Sequence, residues 1–337
     1  MRRAALVGFL LATMLVTPRV VARTARSDPA FTVDRATLDS ALRCSSPDLR
    51  SHPEHEPVLL VHGTFTKGEE QYAWNWEVLL HDEGFDYCTV TYPDRGMADQ
   101  QISAEYIANA VLRMHEWSKR KVDMVGHSQG GSMPRWAIKY WPSVQADLDD
   151  FVPIAGPAHG TSVASPSNPG FDALGGMPPA FYQFSPSSNF VRHVNLGDET
   201  PGSIDYTSIY SYTDELVQPA LPVPTAALDY GKDNPHVVNV NVQDACPGRP
   251  VDHLSIGTTD RFAMAVALDA FTHPGPADLT RVGTTLCSVP NEYVVPASVA
   301  AMQGACCGPT PSDFTDTPRT TQEPPIASYA VQQDGQP

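Results

Sequence analysis

The chain has 337 residues, 42% of them hydrophobic, enough for one large α/β domain or two small ones. Its 38 acidic side chains outnumber 22 basic ones, for a net charge of −16. Such a surface repels nucleic acid and anionic membranes, so any lipid-facing activity must rely on apolar contact.

Arg2 and Arg3 precede an apolar run from Ala4 to Val16, which ends in Thr17-Pro18-Arg19 and the small-residue site Val20-Val21-Ala22. The run is too short to span a bilayer and reads as a signal peptide, residues 1–22, cleaved after Ala22. Its removal takes away three arginines and no acid, moving the net charge from −16 to −19. The expected protein is secreted, and its six cysteines are then read first as disulfides. None of them has a zinc-like spacing, and Cys306 and Cys307 are adjacent, so their partners stay open.

After an irregular stretch with a helical pattern from Asp34 to Leu42, Val58-Leu59-Leu60-Val61 predicts a buried strand leading into His62-Gly63-Thr64. Tyr87 to Thr91 predicts the next strand, and Ile102 to Trp117 a helix with Ile107, Val111 and Met114 on one face. Val122 to Val125 is a strand that runs into Gly126-His127-Ser128-Gln129-Gly130, and the following residues, to Tyr140, have a helical pattern. Further strands are expected at Phe151–Ala155, Ser208–Tyr212 and Val237–Val242. Helices between strands imply parallel crossovers, so the fold class is α/β, with a central, mostly parallel sheet flanked by helices. The catalytic domain is placed at residues 23–308. Residues 156–205 lack clean periodicity but hold Phe171, Leu174, Met177, Phe181, Tyr182 and Phe184, the marks of a lid or acyl-site insertion or of a surface loop with buried aromatics. Residues 309–337, rich in Pro, Thr, Asp and Gln, read as a disordered tail.

Strand, sharp turn and helix are the context that makes Gly-x-Ser-x-Gly a nucleophile elbow, with Ser128 at its tip. A serine hydroxyl needs a histidine base, and the base needs a carboxylate to hold its tautomer. In the chain order of α/β-hydrolases the acid and base follow later strands, which selects Asp214 and His253. Glu215 is the nearest rival to Asp214. Asp172, Asp198 and Asp205 lie in the insertion, Asp252 adjoins His253, His236 precedes a strand, and His273 sits at a helix end. Oxyanion donors are expected at the Gln129 backbone N–H and in the Gly63-Thr64 loop, to which the Thr64 hydroxyl can add.

These residues carry a resemblance. The chain resembles the yeast (Candida-type) lipase B family of secreted α/β-hydrolases over roughly residues 28–290. The likeness runs through Asp28-Pro29-Ala30-Phe31, Leu59-Leu60-Val61 with Gly63-Thr64, Ser128-Gln129-Gly130-Gly131, Thr213-Asp214-Glu215-Leu216-Val217-Gln218-Pro219 and Asp252-His253. It implies an α/β-hydrolase fold and a lipase or esterase with Ser128, Asp214 and His253 as triad and Thr64 and Gln129 as oxyanion donors. It also implies the disulfides Cys44–Cys88 and Cys246–Cys287, and catalysis without a metal or other cofactor. The chain departs from the family at His127, where the family has tryptophan, and at Gly156-Pro157-Ala158-His159-Gly160-Thr161, where an aspartate is missing near Pro157. Selectivity is therefore not transferred. The expected activity is hydrolysis of lipid or other apolar carboxylic esters by a monomer without a membrane span. Polyester cleavage or acyl transfer would use the same acyl-enzyme, and a catalytically silent binding protein the same fold.

Overall fold

A computed structural model describes residues 27–163, 175–289, 304 and 307–335. The signal peptide expected at 1–22 and the insertion's Phe171 and Leu174 lie outside them. Seven strands form one sheet in the order β1-β3-β2-β4-β5-β6-β7. They are β1 Leu42–Cys44, β2 Val58–Val61, β3 Tyr87–Val90, β4 Val122–His127, β5 Leu148–Ile154, β6 Asp205–Tyr210 and β7 Val237–Asn241. All neighbours pair in parallel except β1, which runs antiparallel to β3.

The central strands are apolar throughout because both faces are covered. Alternate residues of β2 serve the two sides: Leu59 and Val61 join one apolar layer, Val58 and Leu60 the other. The first layer holds Ile107, Val111 and Met114 of the helix Gln100–Ser118 together with Trp136, Tyr140 and Trp141. The second holds Trp76, Leu79 and Leu80 of the helix Trp76–Asp82 with Phe262, Val266 and Ala270 of the helix Arg261–Thr272. Strand order reverses direction between β2 and β4, and in such sheets the crevice beyond the carboxyl ends at that point is where ligands bind. The loop after β2 and the turn after β4 both open there.

Two disulfides brace the sheet's margins. Cys44–Cys88 joins residues in register on β1 and β3, and Cys246–Cys287 ties the loop after β7 to a turn at Thr285–Ser288. Cys307 is also disulfide-bonded.

The described part of the insertion is packed. Its helices Pro179–Gln183 and Asn189–Val194 bury Ala180, Phe190, Val191 and Val194. Gln183 accepts a hydrogen bond from the Gln100 backbone N–H at 2.8 Å and donates to Asp99 at 2.6 Å, fastening the insertion to the start of the long helix.

The tail expected to be disordered is ordered from 307 to 335, and this corrects the compositional reading. Thr320 pairs with Met177 of the insertion, and a helix forms at Ser328–Asp334. Glu323 accepts backbone N–H bonds from Asn189 and Phe190, both at 2.8 Å, capping an insertion helix from outside. Tyr329 accepts from the Trp136 indole at 2.9 Å, Ala330 is fully buried, and Asp334 meets His193 and Tyr140 at 2.7 Å each. Low apolar content rules out a core of the tail's own; it does not rule out docking on a core already built. A chain ending at residue 308 is therefore expected to melt several degrees below the full chain and to bind a hydrophobic dye, because Trp136 and Phe190 lose their cover. An unchanged melting temperature would show that these contacts contribute nothing.

Candidate active site

Ser128 follows β4 directly and has φ 56° and ψ −124°, a conformation in which a side chain is strained. Its neighbours make that turn feasible. A Cβ on Gly126 would lie 1.8 Å from the Gly130 carbonyl oxygen, and one on Gly130 would lie 2.1 Å from that of Val61. Any side chain at either position would push the helix Gln129–Ser132 away from the sheet. The Ser128 N–H donates to the Ile154 carbonyl at 2.9 Å, anchoring the turn to β5.

His253 comes from the loop beyond β7, at the start of a helix His253–Thr258 that Asp252 caps through the N–H groups of Leu254 and Ser255. Ser128 Oγ lies 2.9 Å from His253 Nε2, and His253 Nδ1 lies 2.9 Å from Asp214 Oδ2. A carboxylate on Nδ1 makes that nitrogen the N–H donor and leaves Nε2 to accept from the serine hydroxyl. Burial pushes the Asp214 carboxyl upward, but its bond to His253 and the N–H groups of Val217 and Leu216 outweigh this and hold it below the ordinary range. Glu215 accepts from the His253 backbone N–H at 3.0 Å, so it steadies the base's main chain rather than its ring. The two loops are bound together as well: Ser211 and Thr213 both donate to the Val251 carbonyl. Behind them Arg249 pairs with the fully buried Asp260 at 2.7 Å.

The competing residues are engaged elsewhere. His236 pairs with Asp205 at 2.8 Å, His273 faces Asp269 on its own helix, and Asp198 accepts from Thr200. Asp172 lies outside the described residues.

Thr64, in the loop after β2, donates its hydroxyl to Gln129 Oε1 at 3.1 Å, which ties that loop to the residue after Ser128. Gln129 opens a helix, where a backbone N–H has no acceptor within the helix. Sequence reading did not single out Gln71. Its Oε1 accepts from the Gly63 N–H at 2.8 Å, and its Nε2 lies 3.1 Å from His127 Nδ1. His127 Nε2 in turn lies 2.7 Å from the carbonyl oxygen of His253. Gln71, donating from its amide, makes Nδ1 the acceptor and Nε2 the donor. One hydrogen-bonded chain thus links the loop after β2, the elbow and the histidine's backbone. His127 also explains Gly257, whose Cβ would fall 2.0 Å from the imidazole.

A profile of the class 2 lipase family matches residues 55–246, the span that carries the elbow, the Thr64 loop and Asp214. The chain belongs to the class 2 lipase family. It is 29% identical over 332 residues to lipase B of Pseudozyma antarctica, covering 96% of this chain and 92% of that one. It is also similar to the crystal structure of Aspergillus fumigatus lipase B, with a TM-score of 0.77 and 30% identity over 91% of this chain and 74% of that one. The seven-stranded sheet is accordingly the α/β-hydrolase fold of lipase B structures.

Burial lowers the imidazoles of His62 and His127 to about 3. Both are neutral in the folded protein above that value, whereas the unfolded chain takes up their protons below about 6.5. Their contribution to stability is therefore complete above pH 6.5 and is lost as the pH falls toward 3. Urea unfolding should show about 3 kcal/mol less stability at pH 5 than at pH 6.5 from these two groups. The slope should be shallower in a His127→Gln variant; identical slopes would contradict the assignment.

Proposed function

We propose that the chain is a secreted serine carboxylic-ester hydrolase, a lipase or esterase, that works through Ser128, His253 and Asp214. The observation that carries this reading is the continuous 2.9 Å path from Ser128 Oγ through both nitrogens of His253 to Asp214. As Ser128 attacks the ester carbonyl, its proton passes to His253 Nε2, and Asp214 stabilises the imidazolium that forms. The oxyanion is met by the Gln129 N–H and by the loop bearing Thr64. His253 then returns the proton to the departing alcohol, leaving an acyl-enzyme. Water, deprotonated by the same nitrogen, attacks the acyl carbonyl, and the acid leaves with Ser128 restored.

Apolar side chains near the crevice favour an apolar ester. Phe65, next to Thr64, has its ring centroid 5.9 Å from that of Phe181 in the insertion, and Phe181 lies 6.3 Å from Phe184. Leu216, Leu221 and Val223, on the segment that follows Asp214, are exposed and suit contact with a lipid interface. The disulfides and the likeness to lipase B support an extracellular setting.

Hydrolysis of a p-nitrophenyl ester series, acetyl to palmitoyl, tests the reading. Ser128→Ala should lower kcat by at least about a thousandfold on every member while leaving the melting temperature near that of the wild type. A variant with wild-type rates would overturn the assignment. A peak at long acyl chains would identify a lipase, and a peak at acetyl an esterase. Gln71→Leu, which cuts the link between the loop after β2 and the elbow, should cost roughly tenfold in kcat with little change in KM.

A further inference from the structure

At the opposite end of the sheet from Ser128, carboxylates gather on the amino ends of neighbouring strands. Asp123 lies on β4, and Asp149 and Asp150 on β5. One carboxylate oxygen from each lies within 4.8 Å of the others. Asp123 is 1% exposed and Asp150 5% exposed. Asp123 Oδ1 accepts from the Asp150 backbone N–H at 3.3 Å, but its Oδ2 and the Oδ1 of Asp150 are buried with no hydrogen-bond partner. Buried polar atoms are rarely left this way, and two on adjacent carboxylates require an explanation.

The charges around them do not supply one. Lys121 reaches Asp149 Oδ1 at 2.8 Å, and among the described residues no cation pairs with the carboxyl of Asp123 or Asp150. Glu56, just before β2, has an unpartnered buried Oε2 of its own and is a further acid beside the group, so it does not neutralise it. Asp205, the register partner of Asp150, is already taken by His236. Three carboxyl groups that converge and offer oxygen alone match a hard divalent cation. Calcium binds oxygen at about 2.3–2.6 Å, so two ligands on opposite sides of one ion are about 4.6–5.2 Å apart. Three oxygens within 4.8 Å can therefore share one ion. No sulfur or imidazole ligand belongs to the group, which disfavours zinc and copper. Asp149 is about two-fifths exposed, so the group opens to solvent on one side, from which an ion enters and waters complete its shell.

We propose that Asp123, Asp149 and Asp150 form a structural Ca²⁺ site at the amino edge of β4 and β5. Asp123 lies five residues before Ser128 on a strand and its exit turn, a separation of about 16 Å. The ion would act on stability and take no part in ester cleavage.

Equilibrium dialysis of the full chain, stripped with chelator and then exposed to CaCl₂, should find one Ca²⁺ per chain. The melting temperature should rise with CaCl₂ and should not rise with NaCl at equal ionic strength. Asp149→Asn, on the exposed rim, should fold and bind Ca²⁺ at least about tenfold more weakly. Asp123→Asn, if folded, should melt at a temperature indifferent to Ca²⁺. No bound Ca²⁺ at millimolar concentration, a shift that NaCl reproduces, or unchanged affinity in Asp149→Asn would each overturn the site. Absence of binding would leave a proton shared by the buried pair as the explanation of the unpartnered oxygens.

Discussion

Ser128 is held in a backbone conformation that it would not adopt alone, and the rest of the candidate site depends on how that turn is enforced. The strand before it and the helix after it approach so closely that Gly126 meets the backbone of Gly130, and Gly130 meets that of β2. The strain is local, and the apolar layers on both faces of the sheet over-determine it. The result is a hydroxyl lifted clear of the sheet at its carboxyl edge, at the reversal of strand order, with the first N–H groups of a helix beside it.

The other parts of the site are brought to the serine by the same sheet. Asp214 and His253 follow β6 and β7, which lie side by side, and shared bonds to the Val251 carbonyl keep their loops in step. The Cys246–Cys287 bridge and the buried Arg249–Asp260 pair back the histidine loop. From the opposite side, Gln71 and His127 connect the loop bearing Thr64 to the backbone of His253. The elbow is thus the hub between the loop after β2 and the loop after β7, which meet through His127 at the end of β4. The C-terminal segment adds a further layer. By capping Asn189–Val194 and covering Trp136, it fixes the insertion against the long helix Gln100–Ser118.

Much of this was legible in the sequence, for identifiable reasons. Short apolar runs such as Val58–Val61 mark strands buried on both faces, and the strand–Gly-x-Ser-x-Gly–helix succession carries the elbow in consecutive residues. Asp214 and His253 were singled out because chain order restricts where an acid and a base can stand, and the fold brings both to Ser128. What escaped has a common character: it depends on contacts between distant segments. The strand Leu42–Cys44 has three residues, with no apolar pattern, and exists through its pairing with β3. The tail orders by docking on surfaces more than a hundred residues upstream, which composition does not register. Gln71 stands among polar residues of a short helix, and only the fold brings it to His127. Asp123 and Asp150 sit inside apolar strands, where sequence alone does not reveal that their carboxylates converge.

The central claim is that His253 activates Ser128 and no other serine. Labelling with a fluorophosphonate, followed by peptide mapping, tests this most directly. The account predicts a single adduct, on Ser128, formed at least about a thousandfold more slowly in His253→Ala. An adduct on a different serine, or an equal rate in the variant, would contradict it.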